Sequence, residues 1–330
     1  MKPADVIIGL APSDVDKGHA LGKQVMQYQT YYQALPNSLL LTSTADLANV
    51  GFEINHQFVL NIFGTPNSYV MCPNSSVFHQ RVQKYVQLAL DQHYDGLFID
   101  NTFLDPPAHL VCDGAHPHLD PLVEGGRAYL TLLAEARQTL KARNSKAIFM
   151  TNPGDPAWAD QMATGSPTLW DLSDLVLWES WGYTSFTDAR HDVWDDAIPK
   201  SYNYVQNAPE KTAKLVMLSY VKNVTEARFA FAMARFFGFN WTANLGASQF
   251  GTYLNSIPFN LGQPMGPLPP SGPVLHRVCE RGEVFINTTG VAQLVEVPAG
   301  TMFLGSTKAQ TSLPTQVTLL PRTAAIVITQ

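Results

Sequence analysis

Over roughly the first 250 residues, short runs that are apolar on both faces alternate with longer stretches of helical period. The short runs are VIIGLA (6–11), QVMQYQ (24–29), SYVMCP (68–73), GLFID (96–100), AIFMTN (147–152), LVLWES (175–180), KLVMLSY (214–220) and WTANLG (241–246). Each is bounded by Gly, Pro, Asn or Asp, as expected of a strand covered on both sides. Helical spacing is clearest over 77–93, 122–143 and 225–237. In the second of these, Tyr129, Leu132, Leu133 and Ala136 fall on one face. Lys141 and Arg143 suit its C-terminal end, where the helix dipole favours cations. Eight strands interleaved with helices over this length predict a (β/α)8 TIM barrel. A doubly wound open sheet would want a Gly-rich phosphate turn after its first strand, and APSDVDKG has none.

The pattern changes after Phe259. NLGQPMGPLPPSGP has no periodicity and reads as a Pro/Gly linker. Beyond it, VLHRVCE, GEVFINTT, AQLVEVPAG, QVTLLP and TAAIVIT are short, rich in Val, Ile and Thr, and separated by turns. The expected organisation is a catalytic barrel over 1–258, a linker over 259–273 and a small C-terminal antiparallel β-sandwich domain over 274–330.

Composition narrows the function. With 45% hydrophobic and only 15% charged residues, the chain of 330 residues can bury an extensive core under long loops. A net charge of -6 without any basic stripe argues against a nucleic-acid partner. No apolar run is long enough to span a bilayer, so no membrane partner is expected. The opening ADVIIGLA reads as a strand rather than a signal peptide; the expectation is a secreted or periplasmic protein whose signal has been removed, with the cytoplasm as the alternative. The three cysteines, Cys72, Cys112 and Cys279, are too few for a disulfide scaffold. Either Cys72 and Cys112 form a single bridge or all three are free thiols. The assembly expected is a monomer or small homo-oligomer.

TIM-barrel enzymes place their chemistry at the C-terminal ends of the strands. There the fourth run ends in Asp100 and Asn101, the fifth in Asn152, the sixth in Glu179 among Trp178 and Trp181, and the seventh in Tyr220. A carboxylate at the mouth of an apolar barrel is expensive to desolvate without partners or a function. Two of them on strands one neighbour apart would be separated by a distance glycosidases use. One then attacks or activates water while the other protonates the departing oxygen. The less polar surroundings of Glu179 favour the general acid/base role, and Asp100 beside Asn101 suits the nucleophile or base. For either carboxylate alone, turn capping or an ion pair with Arg is the competing explanation.

These motifs resemble a set of polysaccharide-cleaving barrels, the endo-α-1,4-polygalactosaminidases and the spherulin-4-like hydrolases. Those families carry a D-G-h-h-h-D element (h, hydrophobic) on the fourth strand, an N-P-G or Q-N-G turn on the fifth and a Glu on the sixth. The matching residues are Asp95, Gly96 and Asp100, then Asn152, Pro153 and Gly154, then Glu179. A broader group of bacterial glycosyl hydrolases is similar at LGQPMGP and GEVFINTTG. The resemblance implies hydrolysis of a glycan, α-linked, by Asp100 and Glu179, with a carbohydrate as partner and no cofactor. Where the spherulin-4-like enzymes tend to carry a second acid after the strand-four Asp, this chain has Asn101.

Tyr28, Tyr31, Tyr32, Phe103, Trp158, Trp170, Trp181, Tyr183 and Tyr220 fall near the expected mouth. Sugar faces stack on such rings, although most buried aromatics serve packing alone. Tyr28, Trp181, Tyr183 and Tyr220 are the expected sugar contacts. Asp14, Gln29, Asn74, Asn101 and Asn152 are the expected hydrogen-bonding partners of hydroxyls, with turn chemistry as the alternative for each. The segment CDGAHPHLDP, with His116, His118 and Asp120, could hold a transition metal, although an ordered metal-free loop is the expected state. Two other functions therefore stay open: a non-catalytic glycan-binding barrel, and a metal-dependent hydrolase using the His116/His118 loop. A G-x-S-x-G esterase elbow is absent.

Overall fold

The computed structural model describes residues 6–9, 11–20, 24–31, 33–34, 38, 40–60, 68–102, 109–120, 122–161, 167–184, 189–244 and 261–329. The chain divides into two compact units, the second starting at Trp178.

The first unit holds strands β1 (Val6–Ile8), β2 (Gln24–Thr30), β3 (Gln33–Ala34), β4 (Glu53–Ile54), β5 (Gln57–Phe58), β6 (Tyr69–Val70), β7 (Gly96–Asp100) and β8 (Ile148–Thr151), and β9 (Leu175–Trp178) ends across the boundary. Its helices are α1 (Val15–Ala20), α2 (Leu47–Val50), α3 (Ser76–Asp91), α4 (Gly125–Arg143), α5 (Pro156–Gln161) and α6 (Leu169–Leu172). Strands β1, β2, β7, β8 and β9 run parallel in that spatial order. Leu97, Ile99, Phe149 and Val176 are fully buried, as two-sided cover requires. Helix α3 starts where the Ser75 hydroxyl accepts from Phe78 N at 3.3 Å. It is tied to α4 by His79 Nδ1 and Glu135 Oε2, 2.7 Å apart. Tyr129, Leu132, Leu133 and Ala136 of α4 are buried as expected. That helix begins three residues later than its periodicity suggested, because Gly125 N donates to Leu110 O and Val111 bridges Glu124, holding the approach extended.

One expected barrel strand is not a barrel strand. The run 68–73 contributes only β6, antiparallel to β3. Its backbone is claimed by the segment before it: Phe52 N donates to Val70 O, Val70 N to Val59 O and Cys72 N to Val50 O. A strand so occupied has no groups left for a parallel ladder. β7 therefore lies directly beside β2, and seven parallel strands, not eight, occur among the described residues.

Asp46 anchors α2 to α3. Arg81 grips it with a two-pronged ion pair, Nη1 to Oδ2 at 2.5 Å and Nη2 to Oδ1 at 2.9 Å, while Thr42 and Asn49 also donate to it. The guanidinium outweighs the burial that opposes ionisation and holds this carboxyl well below the usual carboxylate range. Replacing Asp46 by Asn should cost about 2–3 kcal/mol at neutral pH, since the mostly buried guanidinium loses its counter-charge. A depressed folded value means that the contribution is present above the unfolded value of about 4 and is lost as pH falls through the folded one. Urea midpoints of wild type and D46N should therefore differ clearly at pH 7 and converge in acid.

The second unit adds β10 (Leu215–Tyr220) and β11 (Asn240–Asn244), a parallel pair, with α7 (Trp194–Asn207), α8 (Pro209–Thr212) and α9 (Val224–Phe237). Asn223 caps the start of α9, and Gly238 ends it in the left-handed conformation at φ 81°. The helix is buried on all sides from Ala227 onward. After it come β12 (Val274–Cys279), β13 (Gly282–Asn287), β14 (Gln293–Val297), β15 (Gly300–Leu304), β16 (Thr307–Thr311), β17 (Thr315–Leu319) and β18 (Ala324–Ile328). They form a five-stranded antiparallel sheet, β12-β13-β18-β15-β16, and a two-stranded one, β14-β17. Phe285, Met302 and Val327 meet Val297, Val317 and Leu319 between them, giving a small sandwich core. Arg228 of α9 donates to Gly305 O and Thr307 O and lies over the Phe303 ring, fastening the helix to the sandwich.

The Pro/Gly segment is clamped rather than loose. Met265 N donates to Val278 O, and Arg277 donates to Gly266 O and Pro267 O. The buried Asn287 of GEVFIN turns its amide nitrogen onto Val291 O, Leu319 O and Leu320 O, so this part of the tail motif is structural.

Candidate active site

Asp100 is the last residue of β7, and the next residue, Asn101, takes a left-handed φ of 52°. Asn tolerates that conformation better than most residues, and the chain turns off the strand there. In β2, Tyr28 stands on the same face as Asp100, because Tyr28 is paired with Phe98 and Thr30 with Asp100. The Tyr28 hydroxyl donates to Asp100 Oδ2. Asn152, one residue past β8, donates from Nδ2 to Asp100 Oδ1 at 2.7 Å. Its own amide oxygen accepts from Gly154 N at 2.9 Å, and its backbone is fixed by bonds to Ile99 and Thr102. The N-P-G turn thus aims an amide at the carboxylate, and Gly154 permits the turn with φ 81°. With both oxygens accepting, the plane of the Asp100 carboxylate is set. Asp95, the first acid of the motif, stands at the other end of the strand, accepting from Val25 N at 2.7 Å and bonded to His19 at 2.8 Å. It is a structural clasp.

In the second unit, Glu179 follows β9 directly, and Ser180 after it is again left-handed, φ 59°. Tyr220, the last residue of β10, donates its hydroxyl to Glu179 Oε1 at 2.5 Å. Each carboxylate is thus half-buried, ends a strand run, precedes a left-handed residue and receives a tyrosine hydroxyl.

Several expected substrate contacts are engaged elsewhere. Trp181 is fully buried, with its indole N–H on Ser201 Oγ at 3.0 Å and Trp194 and Phe239 against its ring. Tyr183 is buried between Trp194, Phe229 and His191, and burial pushes its phenol above the ordinary range. Both rings are core and offer sugar no face. Tyr31 and Trp170 are buried too, whereas Tyr28 is 45% exposed. Gln29 is buried on the opposite face of β2 from Tyr28. Asn74 spends its amide on the backbone of Asp120, accepting from its N–H and donating to its carbonyl. Asp14 accepts from the exposed Lys17, an i,i+3 surface pair. Tyr32, Phe103 and the side chain of Trp158 lie outside the described residues.

All three cysteines are free thiols, and Cys72 and Cys112 are not bridged. Metal-ligand chemistry occurs at two places among the described residues: Cys72, Cys112, His116 and His118, and the surface set Glu53, His56 and Asp113. No helix of the described residues is long and apolar enough to cross a membrane.

The fold defined by these elements is a mixed α/β one, with parallel strands followed by an antiparallel β domain, and it is shared with solved glycoside hydrolases. The glycoside hydrolase domain of PelA from Pseudomonas aeruginosa matches 74% of the chain and 88% of its own length at 18% identity, with a TM-score of 0.51. An Anoxybacillus alpha-amylase matches 96% of the chain and 78% of its own at 10% identity, TM-score 0.55. A debranching enzyme from Nostoc punctiforme matches the same shares at 11% identity, TM-score 0.54. At these identities the likeness is one of fold. No protein-family model and no curated protein matches the chain.

Proposed function

We propose that the chain is a glycoside hydrolase that cleaves an α-linked poly- or oligosaccharide with Asp100 and Glu179 as its working pair. The observation that carries this reading is the shared construction of the two sites: a carboxylate where a strand run ends, fixed by a tyrosine hydroxyl from another parallel strand, Tyr28 of β2 for Asp100 and Tyr220 of β10 for Glu179. Asp100, locked in plane by Tyr28 and Asn152, serves as nucleophile or base. Glu179 protonates the departing glycosidic oxygen and, in a retaining reaction, later deprotonates water. The fold neighbours support the class of reaction, and the D-G-h-h-h-D and N-P-G elements support a relationship to the polygalactosaminidase and spherulin-4-like families, with a galactosaminide-type polymer as one substrate to test.

The test is a reducing-sugar screen of the wild type against α- and β-linked polysaccharides, α-1,4-polygalactosamine included. Cleavage of at least one α-linked polymer is the expected result; binding of a glycan that is never cleaved would replace this reading with the non-catalytic barrel. Tyr28→Phe and Tyr220→Phe should each lower kcat/KM about 10-fold, the loss of one hydrogen bond to a charged group, with urea midpoints little changed.

A further inference from the structure

Four side chains that the carboxylate chemistry does not use converge in the first unit: Cys72, Cys112, His116 and His118. One donor atom from each lies within 4.8 Å of the others; the two cysteines and His116 are buried and His118 half-buried. Cys112 Sγ is 3.8 Å from His116 Nε2, and the two imidazole centroids are 4.5 Å apart. His116 Nδ1 and His118 Nε2 are both buried without a hydrogen-bond partner. Leaving such nitrogens unsatisfied costs about 1–3 kcal/mol each. A Cys72–Cys112 disulfide would leave both rings as they are.

We propose that these four residues bind one zinc ion as a structural site. Two thiolates and two imidazoles are a donor set that zinc takes tetrahedrally, with bonds of about 2.3 Å to sulfur and about 2.0 Å to nitrogen. Donors around such an ion stand roughly 3.3–3.8 Å apart, so this cluster needs only small side-chain movements to close on it. Four protein ligands leave no open position for a catalytic water, which separates this site from the metal-dependent hydrolase considered from the sequence.

The backbone around the cluster is pinned from both sides. Leu119 N donates to Asn74 O, Ser76 N to Pro117 O and Asp113 N to Glu53 O. Glu53 N donates to Cys112 Sγ at 3.5 Å, the kind of outer hydrogen bond that steadies a metal thiolate. Gly114 lets the His116 ring fold back, since a Cβ there would meet its Cε1 at 2.6 Å. The ion would hold together Cys72, just after β6, and the whole 112–118 turn.

Elemental analysis of the full chain, produced without a histidine tag and passed through gel filtration, should find about one zinc per chain. Cys112→Ser and His116→Ala should each lower that content at least about fivefold, while Cys279→Ser keeps it. Because the first two variants could fold poorly, the wild type supplies an independent reading: replacement of zinc by cobalt(II) should give thiolate charge-transfer and tetrahedral d–d absorption. Native protein lacking zinc, with Cys72 and Cys112 either joined or both alkylated by iodoacetamide, would overturn the proposal. So would cobalt spectra of octahedral type, or zinc content unchanged in both ligand variants.

Discussion

Asp100→Asn and Glu179→Gln should each lower kcat/KM on the cleaved polysaccharide by about 10³-fold or more, without unfolding the chain. The two replacements are close to isosteric, and their neighbours can adapt. Opposite an amide at position 100, Tyr28 still finds an acceptor oxygen, and Asn152 can turn its own amide only by giving up Gly154 N. Asp100→Asn should therefore carry a small stability cost of about 1 kcal/mol beside its large kinetic one. The two variants also separate the roles. A small nucleophile such as azide restores turnover when the attacking carboxylate or base is missing, and substrates with good leaving groups restore it when the acid is missing. Azide rescue of Asp100→Asn and leaving-group rescue of Glu179→Gln is the expected pairing. If neither variant slows the wild-type reaction by more than about tenfold, Asp100 and Glu179 are not the working pair.

What could be read from the sequence follows from how local the determining physics is. Strands β7, β8 and β10 announce themselves as apolar runs because both of their faces are covered, and Asp100 stands out as the polar break where such a run ends. The run SYVMCP looks the same, yet its partner is the hairpin at 50–60, and nothing within the run distinguishes an antiparallel neighbour from a parallel one. Trp181 and Tyr183 fail as sugar contacts for a comparable reason. Their polar atoms and faces are satisfied by Ser201, Trp194 and His191, residues that only the tertiary fold brings to them. Asn74 is claimed by Asp120, 46 residues on. The Cys/His cluster was visible in halves, as a cysteine pair and as a histidine loop. The spacing C-x₃-H-x-H over 112–118 was the signal that could have joined them, but its fourth member is Cys72, 40 residues before Cys112.

Gly96 tests whether the first motif is about chemistry or about fit. The glycine follows Asp95 and opens β7, opposite Ile148 of β8. A Cβ at this position would lie 2.1 Å from Ile148 O and 2.8 Å from Ile148 N. Both are backbone atoms of a neighbouring strand, so no side-chain rotation relieves the clash. Strand β8 must retreat by about 1 Å or the pairing must break, and overpacking of this kind costs about 3 kcal/mol or more. The same displacement carries Asn152 at the far end of β8 away from Asp100, so activity should fall along with stability. Gly96→Ala is therefore expected to shift the urea midpoint by several times the change seen for Gly290→Ala, where a Cβ meets nothing within 4 Å. If Gly96→Ala were within about 1 kcal/mol of wild type, the glycine would not be required by strand spacing, and the D-G pair would need a reason in the chemistry instead.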